Sequence, residues 1–203
     1  AKPNLAHISL VEFARKNPEK NVTLITQNVD VLHLRADLDE VLPPLTMHGN
    51  LHESRCSQCE EVYIDDFSYF NEAGNYAPTQ LNLCPVSLRA APNYLHHYHL
   101  KFQSFLPLSP CCGKLLRPNI VWFGEYPMHM QRIQTELKKC DLFISIGTSG
   151  NVYPAAGFLQ EARAKGAKTV CLNKEEIIQS EYCDEFIEGR AIDIVPRYLA
   201  KLT

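Results

Sequence analysis

The 203-residue chain reads as an α/β protein, a parallel sheet with helices on both faces plus a small cysteine-rich module. Three observations predict this. The apolar runs Val22–Ile25, Ile120–Phe123, Leu142–Ile146 and Val170–Leu172 have the texture of strands buried on both sides. A helical stretch with Pro154 at its first turn and Gly166 at its stop separates the last two runs. That makes a β-α-β unit of about thirty residues, whose two strands should be parallel and whose crossover should be right-handed. Between Cys56 and Cys112 the composition shifts to Asn, Pro, Tyr and His without long apolar periods, which marks an insert with long loops.

In chain order, Leu5, Ile8, Leu10, Val11, Phe13 and Ala14 predict a helix over 5–16. Residues 22–26 predict a buried strand, 29–36 a short helix or turn, and 45–51 a short extended piece leading into the first Cys pair. Asn119-Ile-Val-Trp-Phe-Gly124 predicts a second buried strand. Helix 129–139 follows, with Met130, Ile133 and Leu137 on one face. A strand over 141–147, a helix over 155–164, a strand over 168–172 ending at Asn173, and a closing helix over 195–202 complete the pattern. We therefore expect a Rossmann-like α/β part, residues 1–52 and 113–203, incomplete at its start, and a zinc-binding module over 53–112.

Composition narrows the function. A net charge of -3 and a pI near 6.3 leave no electrostatic footprint for nucleic acid. No apolar run approaches the ~20 residues that span a bilayer, and no secretory signal opens the chain, so neither a membrane nor nucleic acid is an expected partner. Eight Cys with two close pairs suggest thiolates held for metal rather than a disulfide framework. The expectation is an intracellular, reducing compartment, mitochondrial or cytoplasmic.

Chemistry concentrates where strands end. Gln27, Asn28 and Asp30, with Val29 between the last two, cap the first strand and deliver three hydrogen-bonding side chains to the carboxyl edge of the sheet, where open α/β folds bind nucleotides. Gly147-Thr148-Ser149-Gly150-Asn151 lies between a strand and a helix, where backbone N–H groups can approach an anionic or ribose-bearing ligand; a tight turn needing Gly is the plain alternative. Asn173-Lys174-Glu175 sits at the next strand end, either as a solvated loop or as an acceptor for ribose hydroxyls. His48, between Met47 and Gly49, has the chemistry of a general base near neutral pH, although a lone His is usually a satisfied core or surface residue. Cys56 and Cys59 have knuckle spacing, with Cys111 and Cys112 as a downstream half-site. Adjacent thiols seldom share one tetrahedral centre, so the fourth ligand stays open among Cys111, Cys84, His96, His97 and His99. No Gly occurs in the first 48 residues, and the chain opens on a helical pattern. Either this fold binds no nucleotide or its Gly-rich turn precedes the chain.

Taken in order, these blocks resemble one family, the sirtuins, NAD-dependent protein-lysine deacylases. The resemblance rests on Thr26-Gln-Asn-Val-Asp30 with His33, Met47-His48-Gly49, Arg55-Cys-x-x-Cys59, Cys112-Gly-Lys-Leu-Leu-Arg-Pro118, Val121-Trp-Phe-Gly-Glu125, Gly147-Thr-Ser149 and Val152-Tyr-Pro-Ala-Ala156. The Val-Trp-Phe-Gly-Glu and Gly-Thr-Ser…Val-Tyr-Pro-Ala-Ala forms are similar to class III members, which favour succinyl and malonyl groups. The resemblance implies that His48 activates a ribose hydroxyl of NAD, that the acyl-lysine carbonyl attacks the ribose carbon bearing nicotinamide, and that deacylated lysine and O-acyl-ADP-ribose result. It implies Gln27, Asn28, Val29 and Asp30 at the nicotinamide ribose, and Gly147, Thr148, Ser149, Asn173, Lys174 and Glu175 along ADP-ribose, with the backbone near Ala191 at adenine. Val121, Phe123, Gly124, Glu125 and Tyr153 would border a tunnel for acyl-lysine protein or peptide substrates, and zinc would sit on Cys56, Cys59, Cys111 and Cys112. The family's N-terminal strand and Gly-Ala-Gly loop have no counterpart here, nor do the Tyr and Arg that read an acidic acyl group. This chain as written is therefore expected to bind NAD weakly or not at all. A truncated, inactive isoform acting as an interaction or regulatory module is the alternative. A dehydrogenase is disfavoured, because no Gly-x-Gly-x-x-Gly turn is present.

Overall fold

A computed structural model describes residues 1–64, 112, 114 and 116–202. By its internal contacts the chain divides into two compact units, Ala1–His48 with Glu125–Thr203, and Gly49–Gly124.

The first unit is built on a parallel sheet of β6 (Leu142–Ile146), β7 (Lys168–Asn173) and β8 (Glu185–Glu188), with β7 central. Ile144 lies beside Val170, and Val170 beside Glu185. Side chains alternate across a strand, so each strand feeds two cores. Val170 and Leu172, with Leu142, Ile144 and Ile146, pack on α1 (Leu5–Lys16) and on α5 (Ala191–Leu199) through Ala6, Ile194, Val195, Tyr198 and Leu199. Cys171 and Phe143 point the other way, onto Leu159 of α4 (Phe158–Ala164). Helix α3 (Met130–Lys139) adds Met130, Ile133 and Leu137 to Leu45, Met47, Phe158 and Ala162 in a further cluster. Val170, Leu172 and Val195 are wholly buried, each contributing about 1.5–3 kcal/mol relative to exposure. The α/β class expected from the buried runs is the class observed, with helices on both faces of a parallel sheet.

Local signals explain the helix ends. The Asn4 side chain caps α1 by accepting from the Ala6 N–H at 2.9 Å, and Arg15 and Lys16 in the last turn complement the helix dipole. Gly166, at φ +93°, ends the crossover after α4. A separate parallel pair, β1 (Ile25–Thr26) with β2 (Leu45–Thr46), aligns Ile25 with Leu45. The short helix α2 (Leu32–Ala36) lies between them in sequence.

The second unit is antiparallel: β3 (Gly49–Cys56) runs between β4 (Val62–Ile64) and β5 (Leu116–Ile120), with a register irregularity between Asn50 and Ser54. Gly49 sits at φ +87°, and a Cβ there would collide with the Asn119 carbonyl. Only glycine allows this approach. Glu53 accepts from Asn50 Nδ2 at 3.2 Å and from Asn119 Nδ2 at 2.6 Å, which ties β3 to β5 across the irregularity.

Several expectations are corrected. The strand expected over 119–124 is Leu116–Ile120 instead, and Val121–Gly124 is not extended sheet. Arg117 Nη2 donates to the Ile120 carbonyl at 2.8 Å while its guanidinium lies 3.6 Å from the Trp122 ring centroid, and Gly124 turns at φ +92°. The apolar run is therefore a turn that displays Phe123, 99% exposed, rather than burying it. The strand expected over 22–26 pairs only at Ile25–Thr26. The helix expected over 155–164 divides into a 3₁₀ turn, Ala155–Gly157, and then α4. The closing helix begins at Ala191, not Val195, because the Arg190 carbonyl accepts from the Asp193 and Ile194 N–H groups. Strand β8 was not anticipated, since its four residues begin and end in Glu. Cys171 and Cys183 form a disulfide across a separation of 12 residues, where the Cys spacing suggested no disulfide framework. Among the described residues, no helix is long and apolar enough to cross a membrane. The candidate ligands Cys84, His96, His97, His99 and Cys111 lie outside the described residues.

Candidate functional site

Each candidate segment of the first unit that precedes or follows a parallel strand does so at the same kind of place. Gln27–Asp30 follow β1, Met47–His48 follow β2, Gly147–Asn151 follow β6, Lys174–Glu175 follow Asn173 at the end of β7, and Gly189–Ala191 follow β8. Strands running one way leave their carboxyl ends together, so three of these segments share one edge of the β6–β7–β8 sheet. The Gly147 N–H donating to the Leu172 carbonyl at 3.0 Å and the Gly189 N–H donating to the Asn173 carbonyl at 2.9 Å stitch that edge.

Hydrogen bonds then bring β1 and β2 to the same edge. Wholly buried Met47 is held from both sides: its N–H donates to the Thr26 carbonyl at 3.1 Å and its carbonyl accepts from the Met128 N–H at 2.9 Å. Half-buried His48 follows, with Nδ1 at 3.0 Å from the Gln27 carbonyl. A carbonyl can only accept, so this bond requires the proton on Nδ1 and leaves Nε2 as the basic nitrogen of the neutral ring. The Gln27 side chain donates through Nε2 to Thr148 Oγ1 at 3.4 Å, and Thr148 Oγ1 also accepts from the Gly150 N–H at 3.3 Å. The Thr148 carbonyl accepts from Asn173 Nδ2 at 3.0 Å. His48, Gln27, Thr148 and Asn173, four candidates drawn from four strand ends, are thus joined in one hydrogen-bonded chain.

Other candidates lie near it in sequence but outside this chain of bonds. Asn28 is exposed, its N–H bound to Thr26 Oγ1 at 3.1 Å, and Val29 is half-buried. Asp30 is exposed and accepts from the Leu32 N–H at 2.9 Å, which starts α2. Ser149, Lys174 and Glu175 are exposed, while Ala191 is the first residue of α5. Glu125 and Tyr153 belong to the first unit, Tyr153 being 74% exposed beside a cis peptide bond to Pro154. Val121, Phe123 and Gly124 belong to the second unit.

Also in the second unit, Sγ atoms of Cys56, Cys59 and Cys112 lie within 4.8 Å of one another, Cys56 and Cys112 at 3.3 Å. Four thiolates about 2.3 Å from a tetrahedral zinc would sit roughly 3.8 Å apart, so these three sulfurs fit one ion. The hairpin geometry explains it: Cys56 closes β3, the Cys56 carbonyl accepts from the Glu60 N–H at 3.2 Å, and the turn carries Cys59 back.

One cluster escaped the sequence reading. The rings of His7 of α1 and His33 of α2 meet in a tilted contact, centroids 4.7 Å apart with planes at 56°. Burial, and secondarily the His7 charge, push His33 down to about 4, opposed by Asp30. Burial also lowers His7, again opposed by Asp30. Residues 26 apart on two helices carry no local signal of this contact.

A profile of the Sir2 family matches residues 1–154. This chain belongs to the Sir2 family. It is similar to an NAD-dependent protein deacylase of Pasteurella multocida (strain Pm70), 39% identical over 201 residues that cover 98% of this chain and 70% of that one. An NAD-dependent protein deacylase of Leishmania major is 37% identical over 201 residues, covering 98% of this chain and 68% of the relative. Among solved structures, a complex of a Sir2 homologue with NAD aligns at a TM-score of 0.72 and 28% identity, covering 100% of this chain and 66% of that chain. Sir2 bound to an acetylated peptide aligns at 0.72 and 27%, covering 99% and 71%. The Sir2 chain described here therefore shares the fold of these solved structures.

Proposed function

We propose that this Sir2 chain is an NAD-dependent protein-lysine deacylase with His48 as its general base, acting on acyl-lysine in protein or peptide substrates. The bond from His48 Nδ1 to the Gln27 carbonyl carries the reading, because it fixes the tautomer a general base needs. The residues present suit NAD: a strand-end loop with glycines at Gly147 and Gly150, amide side chains at Gln27 and Asn173, and a base beside them. NAD, when bound, supplies a ribose carbon with a good leaving group. On this reading His48 withdraws a proton from a ribose hydroxyl. Gln27, Asn28, Val29 and Asp30 orient the nicotinamide ribose, and Gly147, Thr148, Ser149, Asn173, Lys174, Glu175 and Ala191 hold the ADP-ribose portion.

Val121, Phe123, Gly124, Glu125 and Tyr153 would line the way in for the aliphatic lysine stem, whose backbone pairs as an added strand. The module over 53–112 would hold zinc through Cys56, Cys59, Cys112 and a fourth ligand, proposed as Cys111; its closed thiolate set makes the ion structural. We further propose a preference for succinyl and malonyl over acetyl groups, which rests on the Val121–Glu125 and Val152–Ala156 blocks. A mass-spectrometric screen of acyl-lysine peptides with NAD tests both levels. Turnover fastest on succinyl and malonyl peptides is expected. Turnover confined to acetyl peptides overturns the acyl preference, and none on any peptide overturns the deacylase reading.

A further inference from the structure

Two side-chain amides from one segment grip the loop after β6. Asn173 Nδ2 donates to the Thr148 carbonyl at 3.0 Å, and Gln179 Nε2 donates to the Gly150 carbonyl at 2.6 Å. Gly150, at φ +72°, is buried against this amide; a Cβ there would collide with Gln179 Oε1. The segment bearing Gln179 is tied back to β7 by the Cys171–Cys183 bond and to Asn173 by the Glu175 carbonyl, which accepts from Asn173 Nδ2 at 2.9 Å. With the Thr148 and Gly150 carbonyls and the Gly150 N–H engaged, the N–H groups of Thr148 and Ser149 have no partner among the described residues. They remain available to an acceptor on a ligand.

Gln179 is an unfavourable residue for packing alone. Its Oε1 is buried with no hydrogen-bond partner among the described residues, which a thioether or aliphatic side chain of similar length would avoid. What the amide alone provides is the Nε2 donor. We propose that Gln179 is a positioning residue, holding the Gly150 carbonyl so that the Thr148–Ser149 backbone is set to receive the ADP-ribose part of the dinucleotide. This rests on the deacylase reading, and deepens it by adding a residue that touches neither substrate.

The experiment compares the full-length protein with its Gln179→Met variant, which keeps the bulk and removes the donor. Steady-state deacylation at varied NAD should show KM for NAD raised about three- to tenfold, as one neutral hydrogen bond warrants. KM for the acyl peptide and kcat should stay within about twofold, and the thermal midpoint should not fall. Titration calorimetry with ADP-ribose should show the same loss of affinity. An unchanged KM for NAD, or a fall in kcat with both KM values unchanged, overturns the positioning role while leaving the deacylase reading intact. A parent protein that neither turns over nor binds ADP-ribose overturns both. If Gln179→Met does not fold, hydrogen exchange of the parent protein decides: ADP-ribose should slow exchange over 147–151 and 177–181 together, and protection of the first alone overturns the proposal.

Discussion

The His48 imidazole rests on the carbonyl of Gln27, Nδ1 to oxygen 3.0 Å, so the end of one strand sets the tautomer of a residue after the next. The Gln27 side chain meanwhile reaches Thr148 beyond a third strand. A single residue thereby orders both the base and the loop opposite it.

If His48 is the base, His48→Ala should lower kcat for NAD-dependent deacylation by about 10²–10⁴-fold, the usual contribution of a positioned base. Zinc content, read by atomic absorption, should be unchanged. Turnover near the parent value would remove His48 from the reaction.

Loss of a sulfur ligand should act on folding. Cys56 is almost fully buried at the end of β3, with Cys59 and Cys112 beside it. Cys56→Ser should release bound zinc and lower the thermal midpoint by several degrees or more, because metal binding free energy is also folding free energy. A chelator added to the parent protein should reproduce the shift. Zinc stoichiometry that stays at about one per chain in the variant would show that another ligand set holds the ion.

Gly49→Ala should destabilise the second unit by about 2–4 kcal/mol, combining the strain of a positive φ with a collision against the backbone of Asn119. Urea unfolding monitored by tryptophan fluorescence reads this, Trp122 being the one tryptophan. A loss under about 0.5 kcal/mol, the range of ordinary surface substitutions, would contradict the close approach of β5 to Gly49.

The His7–His33 pair gives stability a pH dependence. An unfolded His titrates near 6.5, whereas burial holds His33 at about 4. The folded chain binds that proton less readily than the unfolded one, so the contribution is intact above about pH 6.5 and is lost as pH falls toward 4. Allowing for water at the partly exposed ring, the loss is about 2 kcal/mol. His7, lowered in the same direction, adds to the slope, while Asp30 opposes both. His33→Gln should flatten the urea midpoint between pH 6.5 and 4; an unaltered slope would place the pH sensitivity elsewhere.

Which parts were legible follows from where the information resides. The β6–α4–β7 unit was readable because strands packed on both faces become continuous apolar runs, and because Pro154 and Gly166 punctuate the crossover locally. The closeness of Cys56 and Cys59 was readable because the two are sequence neighbours held by one turn. Val121–Gly124 misled for the converse reason: the run is apolar, but Arg117 and Gly124 turn it outward. Strand β8 escaped because four residues that begin and end in Glu carry too few alternations to register.

By itself the sequence determined the fold class, the family blocks and the kinds of side chain that gather at strand ends, since these depend on local periodicity and on residue chemistry. Tertiary structure alone decided which of those side chains meet. The bond from Gln27 to Thr148 spans 121 positions, and that from Gln179 to Gly150 spans 29. No local propensity encodes such distances; the packing of separate elements does, since the Gln27 bond joins the β1–β2 pair to the loop after β6 and the Gln179 bond joins that loop to the segment between β7 and β8.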